Sequence, residues 1–226
     1  MPQLFIGNKN YSSWSMRAWV LMRQAGIEFE EVMLRFDGFN ADSQFKRRLA
    51  QISPAAQVPV LVDGAVTVWD TLSIAEYLAE RYPDHQLWPE QAAHRAHARS
   101  ICAEMHGGFS ALRSACPMNI EAHLPEVGAL IMRDKPAVGR DLQRIVTMWS
   151  ELLSQHKGPM LFGKFSIADA YYAPVVMRLR TYALPVPPEV SAYMERVKQL
   201  AGVNAWIEGA LREHDFLDFE EPYRLK

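Results

Sequence analysis

Short apolar runs and helical stripes alternate over the first third of the chain. Leu4 to Ile6 is an apolar run stopped by Gly7 and Asn8, so a strand followed by a loop is expected. Residues 15–26 carry Met16, Trp19, Val20 and Arg23 at helical spacing, with Gly26 as the stop signal. Residues 29–35 alternate as a strand does, and residues 41–51 have polar helical character. Val58 to Val62 and Ala65 to Val68 flank Asp63-Gly64, a strong hairpin signal. Residues 71–82 place Ile74, Ala75, Leu78 and Ala79 on one helical face. The predicted order is β-α-β-α-β-β-α, an α/β layer over residues 1–83.

Pro83 to Pro89 holds two prolines around a charged turn and reads as a linker. Residues 90–226 show almost only helical patterning and form the second expected domain. Leu142, Ile145, Val146, Trp149, Leu152 and Leu153 share one face, and residues 167–179, 191–200 and 205–213 read as further helices. Gly107-Gly108 interrupts an otherwise helical stretch, either as a kink or as a close approach. The predicted class is therefore α/β plus all-α, and a chain of 226 residues suits two such units.

Composition narrows the function classes. The 24 basic and 26 acidic residues nearly cancel, and no long basic run offers a footprint for nucleic acid. No apolar stretch is long enough to cross a bilayer, and the first residues lack the pattern of a signal peptide. Cys102 and Cys116 are the only cysteines, which excludes a disulfide framework and makes a reducing cytoplasm the expected location. His94 and His97 lack the partners that a metal site needs, so no metal is expected. Cys102 and His106, four apart, read as a packed cysteine and its neighbour rather than an activated thiol.

Three segments carry candidate chemistry. Ser12, Ser13 and Ser15 lie between the first strand and the first helix, more hydroxyls than one helix cap needs. A helix start favours anions, and a thiolate held there has a lowered pKa. Pro59 lies inside a β-rich run; a cis Val58-Pro59 bond would leave Val58 free to pair with an extended peptide. Asp70-Thr71 opens the third helix, either as a cap or as a carboxylate and hydroxyl for a ligand's charged groups, with Ser73 and Glu76 forming a competing capping box.

YSSWSMR (11–17), QVPVL (57–61) and DTLSIAEYL (70–78), in this order, resemble the N-terminal domain of soluble glutathione transferases. FSIADAYYAPVV (165–176) resembles the capping-box motif of that family's helical domain, with Ser166 and Asp169 as the reciprocal pair. The resemblance covers nearly the whole chain and is nearest to the serine-type zeta class, which includes maleylacetoacetate isomerases. The chain departs from that class at Trp14, where the class carries cysteine.

The resemblance implies a thioredoxin-like first domain that binds glutathione as co-substrate, with Ser12 donating to the glutathione sulfur and Ser13 and Ser15 as second choices. It implies that Val58 pairs with the cysteinyl unit beside a cis Pro59. Asp70 and Thr71 would then hold the γ-glutamyl end and Gln57 the glycyl end. It implies a second-substrate pocket between the domains, for which Trp14, Phe109, Arg113, Met118 and Arg178 are candidates, with Phe216 and Phe219 behind them. It also implies a homodimer that transfers glutathione to a small electrophile. The alternatives are a glutathione-dependent cis-trans isomerase and a non-catalytic binding protein of the same fold.

Overall fold

The computed structural model describes residues 1–225. Strand β1 (Gln3–Ile6) leads into helix α1 (Ser13–Gln24), then β2 (Glu30–Met33), α2 (Gln44–Ala50), β3 (Val60–Asp63), β4 (Val66–Trp69) and α3 (Thr71–Arg81). The sheet order is β2-β1-β3-β4, with β1 parallel to β2 and antiparallel to β3. The β3–β4 hairpin turns through Gly64-Ala65, one residue past the expected Asp63-Gly64, because Asp63 still pairs with Val66; Gly64 takes φ +60° without a side-chain penalty. Alternation along β1 buries Leu4 and Ile6 on the face that α1 and α3 cover. The other face carries a smaller cluster of Tyr11, Leu34, Phe36, Phe45, Leu49 and Val60.

Seven helices follow: α4 (Ala92–Gly107), α5 (Ser110–Ala115), α6 (Pro125–Asp134), α7 (Pro136–His156), α8 (Ile167–Thr181), α9 (Pro188–Gln199) and α10 (Ala201–Glu213). The fold is thus a four-stranded mixed sheet with its helices, followed by a helical unit, as expected. Helix α8 is buried almost all round, because α1, α4 and α9 pack against it. Its start is fixed by the Ser166–Asp169 capping box, in which Ser166 N–H donates to Asp169 Oδ2 at 3.0 Å. Asp169 also accepts from Leu161 N–H and the Tyr193 hydroxyl, which tie the preceding loop and α9 to the same carboxylate.

Four further details differ from the pattern read in the sequence. The second strand is shorter than residues 29–35, since Leu34 N–H still reaches Ile6 but Phe36 N–H turns to the Asn8 side chain. Helix α10 begins four residues earlier than expected, because Gly202 allows close approach to α1: a Cβ there would lie 3.1 Å from Val20 O. Gly107-Gly108 marks neither a kink nor a ligand but the end of α4, and Phe109 in the left-handed region redirects the chain into α5. The segment read as a linker is tied down: Leu87 and Trp88 are buried, and Ile167 N–H donates to Leu87 O at 2.9 Å. Among the described residues, no helix is long and apolar enough to cross a membrane.

Candidate active site between sheet and helical unit

A cleft of about 870 Å³ opens where the loops after β1, before β3 and before α3 face α4, α5 and α8. Its first wall holds Ser12, Ser13, Trp14, Gln57, Val58, Pro59, Asp70 and Thr71. Its second holds His106, Arg113, Met118 and Arg178. A volume of this order suits a small-molecule site.

Ser12 is the N-cap of α1, so its main chain turns just as the helix amides become free. Its Oγ lies 2.7 Å from Ser15 Oγ, and Ser15 Oγ accepts Gly7 N–H at 3.1 Å. Ser15 is fully buried and supports Ser12 from behind rather than facing the cleft. Ser13 Oγ accepts from Arg178 Nη2 at 3.1 Å.

The Val58-Pro59 bond is cis. Among the described hydrogen bonds, neither main-chain group of Val58 has a partner, so its edge is open to the cleft. Asp70, at φ +72°, caps α3 by accepting from Leu72 N–H at 2.9 Å through Oδ1, while its Oδ2 faces His106 Nε2 at 3.2 Å. Ser73 and Glu76 do not form the competing box: Ser73 N–H turns to Asp70, and Glu76 pairs with Arg99 and Trp88. The Thr71 hydroxyl lies 2.9 Å from Tyr171 OH. Gln57 is exposed at the far end, next to Lys46, whose ammonium donates to Ala56 O.

The second wall is cationic. Arg178 is buried and donates only to neutral acceptors, Cys116 O, Arg113 O and Ser13 Oγ. It lies in the cleft wall, whereas Arg180 pairs at the surface with Glu195. Arg17 is also buried, donates to Tyr171 O, and leaves Nη1 without a partner among the described residues. Burial pulls both guanidinium groups down to about 10, so each remains charged at neutral pH. Trp14 lies between Arg17, 4.1 Å from its ring centre, and Arg113 at 5.0 Å. Glu220 also lines the cleft, where burial raises its carboxyl to about 7 against the opposing pull of Arg178.

Three expected pocket residues lie elsewhere. Phe109 is buried away from the cleft at the turn into α5, because its backbone serves that turn. Phe216 packs under Arg224. Phe219 stacks edge-on against Phe39 at 5.4 Å, and it is Phe39 that lines the cleft. Conversely, Tyr11, Arg17, Phe36, Phe39, Lys46, His106, Tyr171 and Glu220 were not singled out for the site. Arg17 carried one signal, a charge inside the apolar stripe of α1. The Cys102 thiol is sealed and pushed far up by burial, so it forms no pair with His106. No cluster able to hold a metal occurs among the described residues.

A thioredoxin-like mixed sheet with a cis-proline loop beside an open strand edge, joined to a helical unit across a cationic cleft, is the two-part architecture of the transferases that the sequence resembles. Residues 11–81 match the family description "Glutathione S-transferase, N-terminal domain", and residues 91–209 match "Glutathione S-transferase, C-terminal domain". The chain belongs to the glutathione S-transferase family. It is 27% identical over 193 residues to a probable maleylacetoacetate isomerase of Caenorhabditis elegans, covering 83% of each chain. It is 27% identical over 178 residues to a zeta-class glutathione S-transferase of Euphorbia esula, covering 77% of this chain and 75% of that one. A glutathione transferase homolog from Burkholderia, solved with bound glutathione, superposes with a TM-score of 0.69 at 24% identity, over 94% of this chain and 98% of that one.

Proposed function

We propose that this glutathione transferase binds glutathione along the first wall of the cleft and uses the Ser12 hydroxyl to hold the sulfur as a thiolate. The observation that carries the reading is the Ser12–Ser15 pair at the start of α1. Here Ser12 Oγ donates to Ser15 Oγ, and turning that O–H into the cleft would hand its proton to the sulfur, while Ser15 N–H and Gly7 N–H keep the two hydroxyl oxygens in place. A drop of about two units in thiol pKa corresponds to roughly 2.7 kcal/mol, within reach of a charge-assisted hydrogen bond plus a helix end. The open main chain of Val58 pairs with the cysteinyl unit, Asp70 and Thr71 hold the γ-glutamyl charges, and Gln57 with Lys46 meets the glycyl carboxylate. The thiolate then attacks an electrophile lying against Trp14, Met118 and the arginines.

The test is thiolate absorbance of the glutathione complex against pH. Ser12→Ala is expected to move that titration up by about two units, and Ser13→Ala by much less. A Ser12→Ala protein that keeps both the titration and the turnover would falsify the role of Ser12.

A second reading draws on Arg113 and Arg178, two guanidinium groups that line the cleft without a salt-bridge carboxylate among the described residues, with the buried Arg17 behind Trp14 adding to their field. They suit a carboxylate-bearing substrate such as a maleyl compound, isomerised about its double bond by transient addition of glutathione. A product free of covalently attached glutathione selects this reading, and a thioether product selects transfer.

We also infer a cytoplasmic homodimer. The support for a dimer is the exposed Val66 of β4 and a shallow groove in which Val68, Leu72, Tyr77 and Ala103 lie among Ser73, Glu76 and Glu80. Sedimentation at twice 25.7 kDa is the expected result, and a clean monomer at micromolar concentration overturns it.

A further inference from the structure

Four side chains form a closed chain of polar contacts between the two units. His106 of α4 faces Asp70 Oδ2 through Nε2 at 3.2 Å and Tyr171 OH through Nδ1 at 2.8 Å. Tyr171 OH lies 2.9 Å from Thr71 Oγ1, and Thr71 follows Asp70 in sequence. We propose that His106 is a positioning residue that sets, through Tyr171, whether Thr71 can donate its hydroxyl proton to a ligand carboxylate. The inference rests on the reading that Thr71 meets the α-carboxylate of glutathione.

Counting protons gives the direction. A neutral His106 with its proton on Nδ1 would point a bare Nε2 lone pair at the Asp70 carboxylate, two acceptors face to face. The proton of neutral His106 therefore sits on Nε2, and Nδ1 accepts from Tyr171 O–H. Tyr171 has no second proton, so the Thr71 hydroxyl must donate to Tyr171 and offers the cleft only lone pairs. When His106 is protonated, Nδ1–H donates to Tyr171, Tyr171 O–H donates to Thr71, and the Thr71 proton is free for the cleft. One proton bound at His106 thus reverses two hydrogen bonds and turns Thr71 from acceptor to donor without moving a heavy atom. Asp70 keeps its Nε2–H partner in both states.

The groups around this chain are few. Asp70 faces it from α3, and Arg17 of α1 lies 4.8 Å from the Tyr171 ring centre. Trp14 of α1 packs 5.1 Å from the imidazole, and Arg113 of α5 donates to His106 O. Cys102 lies one turn earlier on α4, and Glu76 of α3 shares the shallow groove outside, paired with Arg99. Imidazole is the one side-chain type among these whose charge ordinarily changes between about pH 5 and pH 8.

The experiment is calorimetric titration of the full chain with S-methylglutathione, which has no thiol to titrate, from about pH 5.5 to about pH 7.5. Wild type is expected to bind about tenfold more weakly at the high end, with proton uptake on binding seen as a buffer-dependent heat. His106→Gln can hold N–H toward Asp70 and a carbonyl toward Tyr171 but cannot gain a proton. It is expected to bind weakly at every pH. Tyr171→Phe frees the Thr71 hydroxyl altogether and is expected to bind tightly at every pH. In turnover, both changes fall on the KM for glutathione rather than on kcat. A merely structural role would weaken binding in both variants. Wild-type pH dependence retained in both variants, or weakened binding in Tyr171→Phe, overturns the inference and leaves the glutathione site standing. Failure of wild type to bind S-methylglutathione at any pH overturns both.

Discussion

Arg178 donates through Nη2 to Ser13 Oγ at 3.1 Å, joining the last turn of the buried helix α8 to the first turn of α1 across the cleft. The same guanidinium holds Cys116 O and Arg113 O through Nη1, so one side chain fixes the α5 end, the serine loop and the charge of the second wall. Replacing it by methionine keeps bulk but strands two carbonyls. Arg178→Met is expected to lose about 3 kcal/mol of stability and about a hundredfold in kcat/KM for a dicarboxylate electrophile. A neutral aromatic electrophile should lose far less. Equal losses for both electrophiles would show that Arg178 serves the fold and not the anion.

The Ser12–Ser15 pair invites a double-mutant cycle. The two hydroxyls are coupled, since Ser12 Oγ donates to Ser15 Oγ at 2.7 Å and must leave that acceptor to serve a sulfur. Ser12→Ala and Ser15→Ala are each expected to lower kcat at fixed pH. The double variant should be little worse than Ser12→Ala, giving a coupling of about 1 kcal/mol or more. Additive losses would place the two serines in separate roles.

Much of this architecture was legible in the chain because it rests on local rules. Period-two and period-3.6 stripes gave the elements, and Asp63-Gly64 gave the hairpin. The strand order β2-β1-β3-β4 was not legible from periodicity, because pairing is decided by which edges meet, and only the family resemblance carried it. The first wall was legible for a similar reason: Ser12, Ser13, Val58, Asp70 and Thr71 sit at element ends, where caps and turns leave sequence signals. The second wall was legible only in part, since the resemblance named Arg113, Met118 and Arg178 but nothing singled out His106 or Tyr171 for the site. Those two sit on α4 and α8, where the same residue types ordinarily serve packing or solvent. Whether such a side chain faces a cleft depends on the helix's rotation against its neighbours. Phe109 shows the converse, a plausible aromatic withdrawn by its own backbone turn.

Asp169 supplies a prediction about stability. Fully buried, its carboxyl is raised to about 6 by burial, which outweighs the Leu161, Ser166 and Tyr193 donors that lower it. A carboxyl raised above its unfolded value binds more protons folded than unfolded between about pH 4 and pH 6. Its contribution to stability therefore falls as pH rises through that window. Asp169→Ala leaves those three donors without their acceptor and is expected to cost about 3 kcal/mol or more at neutral pH. Asp169→Asn should restore part of this and should lose the wild-type slope of stability between about pH 4 and pH 6, measured by urea unfolding. An unchanged slope would assign it to another group.

Glu220 gives the last prediction, in the region where the cleft meets the C-terminal segment. Its neighbour Glu221 is anchored to Tyr11 OH and Asn119, which holds this segment across the cleft and keeps Glu220 near the arginines. Burial raises Glu220 to about 7, with Arg178 pulling the other way. Below that pH the carboxyl is neutral and the guanidinium field is available to an incoming anion. Above it, the Glu220 carboxylate competes with that anion for the same field. Wild type should therefore bind an anionic second substrate more weakly as pH rises from about 6 to about 8. Glu220→Gln should remove this component and bind the anion several-fold more tightly at about pH 8, while binding of a neutral electrophile changes little. Because the Thr71–Tyr171–His106 chain is itself proposed to answer to pH, the measurement is made with S-methylglutathione saturating throughout. Under that condition a slope that survives in Glu220→Gln would belong to a different residue, and the carboxylate would have no part in gating the arginines.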